Sequence, residues 1–543
     1  MPPTRPKVAT IPAGVGFVDA LAAGILDAHG GADPMALTEV TVLVPTRRAV
    51  RGLSEAFLRR SGAGTMLLPA IRAIGDVDDD DLALAGDGEA EADSLLDDGL
   101  APPVAISGLR RQLLLAVQIR TRWTAEEKAG RRSGGGIDQA ARLAGELAGL
   151  IDRVQTAQLD FGALAKLVPA DYAAHWQETL EFLGIVTDHW PQVLAERGLI
   201  DPAERRNRMM AALARRWRAA PPAAPIIAAG STGSIPATAA LLAVVAGLPE
   251  GMVVLPGLDR VADAESWTAL GESHPQYGLK LLLERLDLDR AEVTDWPHGM
   301  GSAAGSARER LISEVMRPEA TTEAWGRPSA FDRTALENLE VIECPDTQSE
   351  AGVIALLMRE TVETEDRTAA LVTSDRDLAR RVAAALRRWD IAIDDSAGQP
   401  LAETALGSFL RLIAAVAAEG AAPVPLLGLL KHPLSAGGLT PGAFRAYARA
   451  LELACLRGPR AGGGLAGLRT LLREGQGSAA VIAWLDRLVA ALAPLAALLD
   501  KESGPLADMV QAHLAAAEWL AADDTAPGTE RLCTGEAGGA GAG

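Results

Sequence analysis

Short, uninterrupted runs of β-branched and aliphatic residues recur along this chain. Each is closed by a Pro- or Gly-containing loop and followed by a segment with helical apolar spacing. A continuous apolar run of this length suits a strand covered on both faces, which is the strand of a parallel sheet flanked by helices. Val8-Ala9-Thr10-Ile11 is the first run, Pro12 to Gly16 the loop, and Phe17 to Ala28 the helix, with Phe17, Leu21, Ile25 and Ala28 on one face. Val40 to Val44 is the second run, closed by Pro45-Thr46-Arg47-Arg48. Ala49 to Arg60 follows as an amphipathic helix that turns Val50, Leu53, Phe57 and Leu58 inward. Two strand–helix units so close together predict a doubly wound parallel sheet.

The pattern then breaks. Asp76 to Asp98 is acidic, with four consecutive aspartates at Asp78 to Asp81, and Ser107 to about Arg218 is almost all helical. Leu109, Leu113, Leu114 and Val117 share one helix face, and Leu143, Leu147, Leu150, Ile151 and Val154 share another. Gly134 to Gly136 separates the two helices. This is a helical insertion. Strand patterns return at Pro225 to Ala229 and Met252 to Pro256, whereas Gly299 to Pro328, rich in Gly and Ala, reads as a surface loop. A second lobe is expected from Leu339 to Ile393. Its strands are Leu339 to Glu343, Thr368 to Thr373 and Ile391 to Ile393, and its helices Ser349 to Thr361 and Asp377 to Trp389. From Thr404 the chain is helical again, and its last residues are a Gly/Ala tail. The resulting organisation is a first α/β lobe in two parts (1–75 and 221–330) around a helical insertion (76–220). A second α/β lobe (331–403), a second helical insertion (404–525) and a disordered tail (526–543) complete it.

The net charge of −19, from 71 acidic and 52 basic residues among 543, argues against a free-standing, non-specific nucleic-acid binder, because phosphate binding needs a cationic surface. Cys344, Cys455 and Cys533 suit neither a disulfide framework nor a thiolate metal site, and fit a reducing cytoplasm. Met1 to Thr10 has no apolar signal core. The uncharged stretch Ala219 to Pro249 is broken by Gly230, Gly233, Pro236 and Gly247, as in a strand, turn and helix rather than a membrane span. A cytoplasmic protein without a membrane partner is expected.

Pro12-Ala13-Gly14-Val15-Gly16 stands where a phosphate loop stands, but lacks the Lys and the Ser/Thr that contact phosphates and Mg²⁺. It is either a structural turn or a cradle in which the Gly14 and Gly16 region holds an anion on backbone amides. Gly230-Ser231-Thr232-Gly233-Ser234 is either a helix start, with Ser234 as cap and Pro236 in the first turn, or a second such loop. Asp259 is isolated and suits a turn. Glu126-Glu127-Lys128 is the sole acid-x-Lys spacing in a chain with six lysines, and it lies on a charged helix rather than a nuclease strand. The seven histidines show no metal-ligand spacing, and no metal site is expected. Thr46, Arg47 and Arg48 leave a strand at its C-terminal end, where ligands meet open α/β sheets, and Arg51 follows on the helix. Guanidinium forks suit backbone phosphates; an ordinary exposed arginine cluster is the alternative.

Taken in order, Val42-Leu-Val-Pro-Thr-Arg-Arg-Ala49, Ile71-Arg-Ala-Ile-Gly-Asp-Val-Asp78 and His274-Pro-Gln-Tyr-Gly-Leu-Lys280 resemble the AddB family of bacterial double-strand-break repair subunits, in its alphaproteobacterial form. Leu371-Val-Thr-Ser-Asp-Arg-Asp-Leu-Ala379, Asp394-Asp-Ser-Ala-Gly398 and Leu429-Leu-Lys-His-Pro-Leu434 continue the resemblance. The resemblance implies two RecA-like lobes of superfamily 1 helicase type, each a parallel sheet with a helical insertion. It places Thr46, Arg47, Arg48 and Arg51 at a single-strand DNA contact. Gly14 and Gly16 fall at a degenerate phosphate loop, and Ser231 and Thr232 where a motor carries its Asp-Glu pair. It implies a partner, the AddA-type helicase–nuclease subunit, which supplies ATP-driven movement, and DNA ends or single strands as ligand. Family members continue into a nuclease domain with an iron–sulfur cluster and Mg²⁺. This sequence stops before it, so no cofactor is expected on the chain, which reads as an N-terminal part or a truncated product. The rival expectations are a nucleotide- or sugar-dependent α/β enzyme built on Gly14 and Gly16, and an inactive remnant.

Overall fold

The computed structural model describes residues 5–31, 35–61, 66–74, 102–128, 135–161, 182–299, 303–326, 332–365, 367–458, 462, 464–475, 478–501 and 503–534. The chain divides into two compact units, Met1–Glu343 and Cys344–Gly543. The acidic stretch 76–98 and residues 535–543 lie outside the described residues, as does the Gly134 end of the expected inter-helix break; the tail expected to be disordered from 526 instead begins with a helix, Gly528–Leu532, whose Leu532 is buried.

The first unit is built on one six-stranded sheet. In chain order its elements begin β1 (Val8–Ile11), α1 (Phe17–His29), β2 (Thr41–Val44), α2 (Arg47–Ser61) and β3 (Ala70–Ala73). After the insertion helices α3 (Gly108–Lys128), α4 (Ile137–Thr156), α5 (Trp190–Ala195) and α6 (Pro202–Ala219) come β4 (Ile226–Ala229), α7 (Pro236–Gly247) and β5 (Gly251–Pro256). The unit continues with α8 (Ala264–Ala269), α9 (Tyr277–Leu286), β6 (Thr294–Asp295) and α10 (Ala303–Val315). The strand order is β3-β2-β4-β5-β1-β6, and every pairing is parallel. All six strands therefore end on the same edge, where the following loops gather.

Alternation along the strands sorts the two cores. Val8, Leu43, Ile226, Ala228, Val253 and Leu255 pack beneath α6, α7 and α9. Ala9, Ile11, Val42, Val44, Ile227, Ala229 and Val254 pack beneath α1 and α2. Leu53 and Phe57 of α2 are fully buried there, each contributing about 1.5–3 kcal/mol of burial. Leu58 does not join them: it is exposed, one residue round the helix from Phe57.

The insertion is a helix hairpin of α3 and α4, closed by α5. The packed face of α3 is Leu115, Ile119 and Trp123, whereas Leu109, Leu113 and Val117 point to solvent. Both faces are apolar in sequence. Arg111 also lies on the packed face, buried, with its Nη1 2.8 Å from Asp152 Oδ1. Asp201, just before α6, accepts from Trp190 Nε1 at 3.1 Å and Gln155 Nε2 at 3.0 Å, and lies 3.0 Å from the Arg111 guanidinium. Removing one member of such a buried set costs about 3–5 kcal/mol.

The second unit contains α11 (Thr347–Val362), α12 (Arg376–Arg387), α13 (Ala405–Ala418), α14 (Pro423–Leu430), α15 (Pro441–Leu451), α16 (Gly464–Glu474), α17 (Ala479–Leu499), α18 (Leu506–Ala521) and α19 (Gly528–Leu532). Helices α11 and α12 enclose a small core of Ala351, Ala355, Leu378, Val382 and Leu386. The helices from α13 onward share a second, larger core. Helix α17, with mean hydropathy 1.8, is long and apolar enough to cross a membrane. Val481, Trp484, Leu485, Leu488, Leu492 and Leu495 place its apolar stripe inside that core.

Three further expectations are corrected. The Gly/Ala-rich stretch expected to loop contains α10, because alanine is the strongest helix former and glycine is sparse within it. Helix α7 is capped at Ile235, with no side-chain bond, so Ser234 is not its cap, although Pro236 does open it. Finally, residues 339–343, 368–373 and 391–393 form no strands: all strands among the described residues belong to the first unit. A β-branched run favours extended backbone, but a strand also needs a partner about 4.8 Å away. Val341 and Val372 are 84% and 94% exposed.

Candidate functional site at the sheet edge

The loops that follow β1 and β5, together with α10, enclose a cavity of about 920 Å³. Its position is the carboxyl edge of a parallel sheet, where ligands of open α/β folds bind. The loop after β5 is held rigidly. Asp259 Oδ1 accepts from the amides of Val261 and Ala262, both at 2.9 Å, and Ser313 Oγ of α10 donates to Asp259 Oδ2 at 2.6 Å. Asp259 is thus a turn residue, as its isolation suggested. Gln276 bridges the same loop, donating to Gly257 O at 2.9 Å and accepting from Asp259 N at 3.0 Å. His274 Nδ1 accepts from Gln276 N at 3.1 Å, which leaves the ring proton on Nε2, donated to Met316 O at 2.8 Å. The His274-Pro-Gln-Tyr motif therefore builds the wall of the cavity.

The loop after β1 is differently occupied. Its Gly14 amide donates to Glu309 Oε1, on α10, at 3.3 Å. Val15 N is bonded within the loop, to Pro12 O at 3.1 Å. Gly16 caps α1 with φ −62°, and neither Gly14 nor Gly16 uses the left-handed region. A Cβ on Gly14 would meet only ordinary contacts, the nearest 3.7 Å away on Gly305. Asp19 lies in the first turn of α1 and pairs with Arg59 at 2.9 Å. The carboxylates Asp259, Asp295, Glu309 and Glu337 line the cavity against Arg260 and Arg308. Arg260 pairs with Asp295 at 2.6 Å, and Arg308 donates to the carbonyls of Ala335 and Glu337. A cavity with this charge repels phosphate.

Beside α8, burial draws the Arg290 guanidinium below its ordinary range. It donates to Asp259 O and Ala262 O and stacks 4.3 Å above the Trp267 ring. The Ser266 amide, with Arg317, holds the Asp263 carboxyl below the usual carboxylate range. Both groups brace the loop after β5.

The loop after β2 carries the opposite charge. Thr46 is the cap of α2, its Oγ1 accepting from Ala49 N at 3.1 Å. Arg47, Arg48 and Arg51 are exposed in the first turns, where α2 has no acidic residue. Cations at a helix N-terminus oppose the backbone dipole by about 0.3–1 kcal/mol each. In the loop after β4, Ser231 and Thr232 are half-buried, and Ser231 Oγ accepts from Gly233 N at 3.3 Å. Gly230, at φ +80°, sits where a Cβ would come within 3.3 Å of the Phe17 ring and 3.5 Å of Pro45. The starts of α1 and α2 converge on it.

The motifs of the second unit are also structural. Arg376 forks onto Asp395 at 3.0 and 2.6 Å and donates to Gly398 O, joining two of the sequence motifs. The carboxylate holds the Arg376 guanidinium above its ordinary range. His432 Nδ1 accepts from Leu434 N at 3.2 Å, its Nε2 meets Ser408 Oγ at 3.2 Å, and burial pushes its pKa down. Among the described residues no three His, Cys, Asp or Glu side chains gather as a metal site requires. No protein-family model matches the chain, and no curated protein matches it.

Proposed function

We propose that this chain is a helicase-like scaffold subunit of a DNA double-strand-break repair helicase–exonuclease, one that guides a DNA strand and docks a motor without burning ATP itself. The first unit corresponds to a RecA-like lobe with its insertion, and an AddA-type helicase–nuclease subunit in the cytoplasm is the partner. The observation that carries this is the contrast at one sheet edge. The loop in the phosphate position has no Lys, Ser or Thr and gives its Gly14 amide to Glu309, while the loop after β2, at the same edge, presents Arg47, Arg48 and Arg51. ATP-driven chemistry needs the first loop, and strand contact needs the second. The test is ATP hydrolysis by the purified chain, alone and with single-stranded DNA. No turnover above background is expected; steady turnover overturns the proposal.

The 920 Å³ cavity favours a second reading, since ligand sites fall in this size range. As a nucleotide- or sugar-dependent enzyme the chain gains thermal stability with its ligand; as a scaffold it does not.

A further inference from the structure

We infer that Glu309 is the resident anion of the loop after β1: its carboxylate holds the place a phosphate takes in a working motor, and the cavity accepts a free oxyanion only when that carboxylate is removed. This rests on the scaffold reading in assigning the loop to the phosphate position. The geometry stands independently of it. Glu309 reaches the loop from α10, 295 residues away in sequence, and its Oε1 accepts from the Gly14 amide at 3.3 Å. Gly14 and Glu309 both line the 920 Å³ cavity. A Cβ on Gly14 would come no nearer than 3.7 Å to its neighbours, so the loop is not closed by steric crowding. Arg260 and Arg308 line the same cavity, and their existing bonds are to a carboxylate and to backbone carbonyls. Their partners are oxygen acceptors, the chemistry a tetrahedral oxyanion also offers a guanidinium. What excludes an oxyanion is the negative lining, to which Glu309 adds beside Asp259, Asp295 and Glu337, together with its hold on the Gly14 amide.

Two substitutions separate those two effects. Glu309→Ala removes both the charge and the acceptor, whereas Glu309→Gln removes the charge and keeps an acceptor for the Gly14 amide. Melting temperature is measured for the full chain with sodium sulfate from zero to tens of millimolar, against sodium chloride at matched ionic strength. With one amide and two shared arginines, affinity near the millimolar range is expected, which gives a sulfate-specific rise of a degree or two. Glu309→Ala gains that rise, while wild type and Glu309→Gln do not. A flat Glu309→Ala response overturns the inference, and so does an equal gain in Glu309→Gln, because occupancy of the amide then plays no part. If Glu309→Ala melts lower than wild type without sulfate, Glu309→Ser takes its place. Inorganic sulfate tests the loop alone: ATP turnover by wild type sinks the scaffold reading, and a flat sulfate response sinks only the role of Glu309.

Discussion

Two loops, after β1 and after β2, leave the same edge of one sheet and carry opposite charge. The loop after β1 meets Glu309 and, in the first turn of its helix, Asp19. The loop after β2 opens into Arg47, Arg48 and Arg51 with no acid in the first turn of its helix. The backbones are alike: parallel strand, short turn, helix. The difference teaches that this architecture supplies an edge and amides, while side chains decide whether the edge admits an anion. In a chain of net charge −19, one of these loops presents arginines and the other meets carboxylates.

Gly230 is the point at which both loops lean on one residue, so Gly230→Val is the strongest way to break the contrast. Its φ of +80° and the 3.3 Å approach to Phe17 make a branched side chain costly on two counts. We expect a loss of about 2–3 kcal/mol, read by urea denaturation. An unchanged midpoint shows that the two loops do not share this support. Arg47→Ala with Arg48→Ala comes next. In complex with the partner subunit, affinity for single-stranded ends should fall on the order of tenfold, and the salt slope should shrink by about two. An unchanged slope removes the arginines from the strand path. Thr46→Ala is the mildest. Loss of the α2 cap costs about 1 kcal/mol in thermal unfolding, with little change in DNA affinity because the arginines remain.

The sequence was legible where burial is two-sided. β1, β2, β4 and β5 lie inside the sheet, and each reads as an apolar run ahead of a turn. The edge strands do not: β3 contains Arg72, and β6 is two residues, Thr294 and Asp295, whose strand character comes from pairing with β1. The same physics overturned the expected strands at 368–373 and 391–393, which have the local pattern and no partner in a ladder. Periodicity also failed on α3, where two apolar faces compete and the one that packs is the one that also carries Arg111, paired with Asp152. At the site, Arg47 and Arg48 were legible because basic residues directly after a buried strand have to emerge at the carboxyl edge. Glu309 carried no signal, since an exposed-looking Arg-Glu-Arg on an Ala-rich stretch gives no reason to look toward residue 14.

Composition and order alone settled that this chain holds a parallel sheet, that its phosphate-position loop lacks lysine, and that Arg47, Arg48 and Arg51 follow the second strand. Those properties are local, fixed by residues a few positions apart. Which carboxylate fills the first loop, which face of α3 is dry and which extended segments find a neighbour were decided only by the folded chain. Each depends on groups brought together from dozens to hundreds of residues away, and no short-range pattern encodes such a meeting.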